Sequence, residues 1–198
     1  MPEIQTYSGS LVDICDPKPE SISIEDIARG LSMQCRFNGQ VSQFYSVAQH
    51  SIMVARLVEK QLDRQKLYPG RSIRRAALLH DAAEAYLGDI ITPVKKGLTH
   101  DFHKRITPYS DLEYRMLNVI HVALGVGVNP DNHFARGPIM KADLMALAIE
   151  VRALKKWPDS SGIWDFLPEP PDDAPILIPL EPAAAERAFL SCWRRLKA

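Results

Sequence analysis

The sequence predicts an all-α fold, and three observations carry that expectation. Apolar residues recur at i, i+3, i+4 spacing in one segment after another. Capping residues stand ahead of several of these segments, notably Ser23, Ser46 and Ser110. Gly88 and Gly125 close two of them, with prolines in the connections. A helical bundle is the expectation, with a small N-terminal β-hairpin.

Residues 1–20 read as irregular, broken by Pro17 and Pro19, with Tyr7 to Ile14 as a short strand. Ser23 caps a helix whose apolar face is Ile24, Ile27, Ala28 and Leu31. Residues 35–45 read as a loop or small hairpin around Asn38-Gly39. Ser46-Val-Ala-Gln49 forms a capping box for a second helix, which puts Val47, His50, Val54, Leu57 and Val58 on one face. A buried helix then runs from Ser72 through His80-Asp81 to Gly88. The stretch from Asp89 through Thr92 to Lys95-Lys96-Gly97 is a turn leading away from it. Ser110-Asp-Leu-Glu113 is a further capping box, and Gly125 ends its helix. Pro138 opens the next, on which Ile139, Ala142, Asp143, Ala146 and Glu150 share a face. Seven prolines in 157–182 mark an ordered wrap or surface arm, and Pro182 to Leu196 is a last helix.

A chain of 198 residues is long enough for one domain with a sizeable core, expected over about 23–155. Hydrophobic residues make up 46% and charged residues 24%, as in an ordinary globular protein. Lys plus Arg equals Asp plus Glu at 24 each, so no net field draws the chain to a nucleic-acid polymer or an anionic membrane. No apolar run approaches the ~20 residues of a membrane span. The first residues lack a secretory signal pattern, and Cys15, Cys35 and Cys192 are odd in number and scattered. Reduced thiols and a cytoplasmic location are the expectation.

The chemistry concentrates at His80-Asp81. His80 and Glu84 fall on the apolar stripe of Ile73, Ala76, Ala77 and Leu87. An ionisable group on such a stripe costs several kcal/mol unless it is paired or binds a metal. Three helices each carry a metal-competent group on an apolar face: His50, then His80 with Asp81, then Asp143. Two imidazoles and two carboxylates suit a divalent ion in a groove between helices, with positions left for water or phosphate. Neighbours on a helix diverge by ~100°, so His80 and Asp81 share an ion only over the helix edge. Taken singly, His50 would more often be a satisfied core histidine and Asp143 an ion-paired surface residue. His100, His103, His121 and His133 have no comparable setting and read as structural or exposed.

The run His80-Asp81-Ala-Ala-Glu84-Ala-Tyr-Leu-Gly88-Asp89-Ile-Ile-Thr92-Pro93-Val-Lys95 resembles the core motif of the HD-domain phosphohydrolases. It is especially similar to bacterial 5'-deoxynucleotidases and small phage HD hydrolases. His50 upstream and Lys141-Ala-Asp143 downstream match the remaining elements in order, over about residues 30–155. The resemblance implies an HD-domain helical bundle in which His50, His80, Asp81 and Asp143 bind a divalent cation: cobalt, manganese, zinc, iron or magnesium. It makes Glu84 the catalytic carboxylate and Arg36, followed by Phe37, the phosphate-binding arginine. The deoxynucleotidases usually carry Trp where Phe37 stands and Glu where Gln49 stands, which bears on substrate identity.

Such an ion acidifies water and withdraws charge from a phosphoryl oxygen. Glu84 would position that water or shuttle its proton. The planar fork of Arg36 matches phosphate geometry. Asp89 and Thr92 are candidates to orient ligands or substrate, and Lys95 and Lys96 to add charge at the rim. The expected activity is hydrolysis of deoxynucleoside 5'-monophosphates by a homo-oligomer. A deoxynucleoside triphosphohydrolase and a non-catalytic nucleotide-sensing module are the alternatives.

Overall fold

The computed structural model describes residues 2–65, 70–95, 109–155 and 162–197. The fold is all-α with a small N-terminal hairpin. Its strands are β1 (Glu3–Gln5) and β2 (Leu11–Asp13), paired antiparallel with Ile4 opposite Val12. The extended segment expected over Tyr7 to Ile14 is therefore shorter, because residues 7–10 make the turn between the strands. Ser8 ties that turn to the first helix: its N–H and hydroxyl donate to the Asp26 carboxylate at 2.8 and 2.7 Å.

Helix α1 (Ile24–Met33) starts where the Ser23 hydroxyl accepts from the Asp26 N–H, and it buries Ile27, Ala28 and Leu31 completely. Helix α2 (Val47–Arg64) starts at Ser46, whose hydroxyl accepts from the Gln49 N–H. The reciprocal half of that capping box is not made. Gln49 instead donates to the Ile178 carbonyl at 3.0 Å and accepts from the Leu180 N–H at 2.8 Å, fastening the proline-rich segment to α2. Between the two helices, residues Arg36–Gly39 form a 3-10 turn rather than a hairpin.

The helix expected from Ser72 to Gly88 is broken. Helix α3 (Arg71–Leu78) stops before His80, and a short α4 (Glu84–Leu87) resumes after it. Across the gap the backbone tightens to three-residue bonds, Ala82 N–H to the Leu79 carbonyl and Glu84 N–H to the Asp81 carbonyl. His80 supplies a reason. Its Nδ1–H donates to the Ala77 carbonyl at 2.9 Å, the acceptor that the Asp81 N–H would use in an uninterrupted helix. Gly88 closes α4 at φ +86, a conformation that suits glycine.

Helix α5 (Tyr109–Ala123) already includes Tyr109, so Ser110 lies within the helix rather than capping it, and Gly125 follows its end as expected. Helix α6 (His133–Leu154) opens at Asn132, whose side chain accepts from the Phe134 N–H, and not at Pro138. Pro138 sits inside α6, and the Phe134 carbonyl that it leaves without a helical donor belongs to an exposed residue. Helix α7 (Pro182–Lys197) is the last.

Helix α2 is central, packed against α1, α3, α6 and α7. One apolar cluster runs from Val12 to Leu196, so Phe189 and Trp193 of α7 belong to the core, beyond the 23–155 expected. Helix α1 meets α4 at Gly30, where a Cβ would lie 2.9 Å from both the Cβ and the carbonyl oxygen of Ala85. Only glycine allows that approach. No described helix is long and apolar enough to cross a membrane, and Cys15, Cys35 and Cys192 are free thiols.

Candidate metal centre

His50 comes from the second turn of α2, His80 and Asp81 from the break between α3 and α4, and Asp143 from the middle of α6. The break resolves the divergence expected of neighbours on a helix, since the turn brings His80 Nε2 within 3.2 Å of Asp81 Oδ2. His50 Nε2 lies 3.2 Å from His80 Nε2, 3.5 Å from Asp81 Oδ2 and 3.1 Å from Asp143 Oδ1. His80 Nε2 and Asp143 Oδ1 are 4.0 Å apart. Ligands about 2.1 Å from a common ion are themselves separated by about 3 to 3.5 Å, so most of these spacings match a metal shell. The group His50, His80 and Asp81 could hold a metal ion.

The tautomers agree with that use. His80 donates through Nδ1 to the Ala77 carbonyl, and His50 directs Nδ1 at Glu150 Oε1, 2.7 Å away. Both Nε2 atoms are left to face the centre. A metal-binding histidine held from behind by a carboxylate is a recurrent arrangement, and the partner sets ring orientation and basicity. Glu150 is fully buried, and its Oε2 accepts from Arg36 Nε at 3.0 Å. Arg36 Nη1 lies 3.8 Å from Asp81 Oδ2. One carboxylate thus links a candidate metal ligand to the candidate phosphate arginine.

The electrostatics follow from this crowding. Burial works against charge on Arg36, but Glu150 and Asp81 hold it firmly cationic. Burial and Arg36 both depress His50, yet Glu150 and Asp143 carry it up to about 9. Burial raises Asp81, and the imidazoles of His80 and His50 more than reverse that, leaving it well below the carboxylate range. Burial raises the Asp143 carboxyl, but the bond to His50 and the charges of His80 and His50 together leave it lowered.

Glu84 behaves oppositely. Burial raises its carboxyl strongly, and the charges of Asp81 and Asp89 add to the effect. Its Oε2 is buried with no hydrogen-bond partner among the described residues. Lys95 Nζ stands 3.9 Å from Glu84 Oε1 and donates to Glu113 at 2.6 Å. The segment after Gly88 thus returns to the site through Lys95 rather than leading away. Asp89 also faces the charged cluster, its carboxyl raised by burial although Arg36 pulls it down. Thr92 is exposed and has no bond to the site among the described residues. Lys96, His100 and His103 lie outside the described residues.

Phe37 is beside the centre in an unusual backbone state, φ 58, with Asn38 following at φ 51. A left-handed conformation costs an aromatic residue about 1–2 kcal/mol. Arg36 and Lys155 lie over its ring at 5.4 and 4.7 Å. Of the remaining histidines, His121 is buried with Nδ1 at the Val128 carbonyl, and His133 is exposed at the start of α6.

Two residues of the site went unmarked by sequence reasoning. Glu150 is visible there only as one more member of an α6 face. Gln34 carries no motif, yet it donates to the Glu84 carbonyl at 2.8 Å and accepts from the Asp89 N–H at 2.7 Å. It clasps both ends of the segment that presents Glu84.

A helical bundle with a partly buried histidine-aspartate centre is the class that fold and site define. The chain belongs to the family of the uncharacterized protein YfdR of Escherichia coli K12. It is 33% identical to that protein over 194 residues, covering 98% of this chain and 94% of YfdR. It is also 42% identical over 121 residues to the uncharacterized protein RCAP_rcc00048 of Rhodobacter capsulatus, a match spanning 60% of this chain and 56% of that protein. No protein-family model matches the chain.

Proposed function

We propose that this protein is a metal-dependent phosphohydrolase of the HD type that converts deoxynucleoside 5'-monophosphates to nucleoside and phosphate. The observation that carries the reading is the convergence of His50, His80, Asp81 and Asp143 beside a partly buried Arg36 and a buried, charge-averse Glu84. Two imidazole nitrogens and two carboxylates suit a borderline divalent ion such as cobalt, manganese, zinc or iron, or a harder one such as magnesium. A divalent ion there would lower the pKa of a water molecule and draw charge from a phosphoryl oxygen.

The chain's own groups do the rest. Arg36, anchored by Glu150, holds a phosphate through its free guanidinium nitrogens. Glu84 takes a proton from the attacking water and returns one to the departing ester oxygen. Overall, the water oxygen bonds to phosphorus, the ester P–O bond breaks, and one proton passes from water to the nucleoside hydroxyl. Burial and the neighbouring carboxylates push the Glu84 carboxyl up to about 10, which favours its protonated form and so the donation to the ester oxygen. Lys95 steadies the charge that Glu84 gains and loses.

A triphosphohydrolase is the second reading, and Lys155 favours it. Its ammonium group lies over the Phe37 ring that Arg36 also meets, and would offer a longer phosphate chain a second cation. Incubation with deoxynucleoside mono- and triphosphates, matched ribonucleotides and several divalent ions separates the cases. Inorganic phosphate released from dAMP supports the first reading, and triphosphate released from dATP the second. AMP hydrolysed as well as dAMP overturns the deoxynucleotide assignment. Nucleotide binding without turnover leaves a sensing module.

A further inference from the structure

Residues 162–181 carry no chemistry in the reading above, yet they bring an aromatic side chain to Arg36-Phe37. The Trp164 ring stands 6.5 Å from the Phe37 ring at 82°, edge to face, and Phe166 follows 6.3 Å beyond at 37°. Phe37 is itself engaged by two cations, Arg36 and Lys155. Its strained backbone fixes where these groups meet. The segment is fastened to helix α2 at two points: Gln49 clasps Ile178 and Leu180, and Lys60 pairs with Asp173 at 2.6 Å.

We propose that this C-terminal segment is part of the substrate site, and that Trp164 is the residue on which the planar heterocycle of a nucleotide stacks. The inference rests on the phosphohydrolase reading for its setting. Cations beside an aromatic face suit a ligand that joins an anionic group to a flat ring. Arg36 lies within 3.8 Å of the candidate ligand Asp81, so a phosphate at the centre leaves its organic part extending past Phe37 towards Trp164. Phe37 then serves as the holder of the two cations, and the stacking face belongs to a residue more than a hundred positions later in the chain. Stacking on an aromatic side chain tolerates any base, so binding should depend on the presence of a base more than on its identity.

The test compares native protein with Trp164→Ala and Trp164→Phe, using dAMP, dCMP and the base-free deoxyribose 5-phosphate. Binding is read by calorimetry on proteins that also carry Glu84→Ala, loaded with Mn2+, so that it does not depend on turnover. Loss of the ring should weaken both nucleotides about tenfold while changing deoxyribose 5-phosphate less than about twofold. Trp164→Phe should recover most of the loss. Equal weakening of all three ligands would mean that Trp164 only supports the fold, and no change for any would mean it lies outside the site. Either result overturns the proposal. Turnover by the native protein is measured separately: if no phosphoester is cleaved, the hydrolase reading falls while the binding series still decides the role of Trp164.

Discussion

Glu150 and His50 share a buried hydrogen bond of 2.7 Å across a hundred positions of sequence, and neither residue is exposed at all. Carboxylates that hold a metal-binding imidazole from behind set its tautomer and basicity, and their loss weakens metal binding by about 10–100-fold. Glu150→Gln should therefore lower affinity for Zn2+ or Mn2+ by that factor while keeping helical content. Competition with a chromophoric chelator measures it, and unchanged affinity would remove Glu150 from the centre.

Asp81→Ala should abolish stoichiometric metal and the proposed phosphohydrolase activity together. Asp81 is held by His80, His50 and Arg36 at the turn between α3 and α4. Circular dichroism should stay near native. Undiminished metal by elemental analysis would refute the assignment.

Glu84→Ala should separate binding from chemistry. The carboxylate is placed to move protons, so metal content and substrate affinity should persist while kcat falls by about 10²–10⁴-fold. Turnover near the native value would pass the proton-handling role to Asp89 or to solvent.

Asp26 supplies a pH dependence of stability away from the metal centre. Burial opposes its charge, but the hydroxyl and N–H of Ser8 prevail and hold the carboxyl below its ordinary 3.8. A depressed folded pKa stabilises the protein above the unfolded value, and that contribution fades as pH falls from about 4 towards the folded pKa. Asp26→Asn should cost about 1 kcal/mol at pH 7 and flatten the acid limb of a Tm-versus-pH curve. A limb unchanged in steepness would show that the hairpin anchor does not contribute to it.

How far the sequence carries can be judged residue by residue. His50, His80, Asp81 and Asp143 are legible because ionisable groups interrupt apolar helical stripes, and the structure brings all four together. Arg36 and Glu84 are legible through the motif around them. The break at Leu79–Ala83 is hidden, since apolar spacing continues straight across it and the competing bond comes from a side chain, His80 to Ala77. Pro138 misleads for the opposite reason: a helix-opening residue is tolerated one turn inside, where the carbonyl it strands belongs to the exposed residue Phe134. Glu150 and Trp164 are meaningful only through partners about a hundred or more positions away, and local patterning contains nothing of that kind.

The contact between Gly30 and Ala85 reaches further than packing. Ala85 follows Glu84 directly, so any side chain introduced at position 30 would displace the backbone that presents that carboxyl. In a saturation mutagenesis screen scored by activity, position 30 should tolerate nothing but glycine, even though it contacts neither ion nor nucleotide. The same screen scored by cellular abundance should be more forgiving, because helix α1 keeps its Ser23 cap and its buried Ile27 and Leu31. Such a divergence between the two scores would chart, from genetics alone, how a glycine remote from the chemistry can be intolerant for functional reasons.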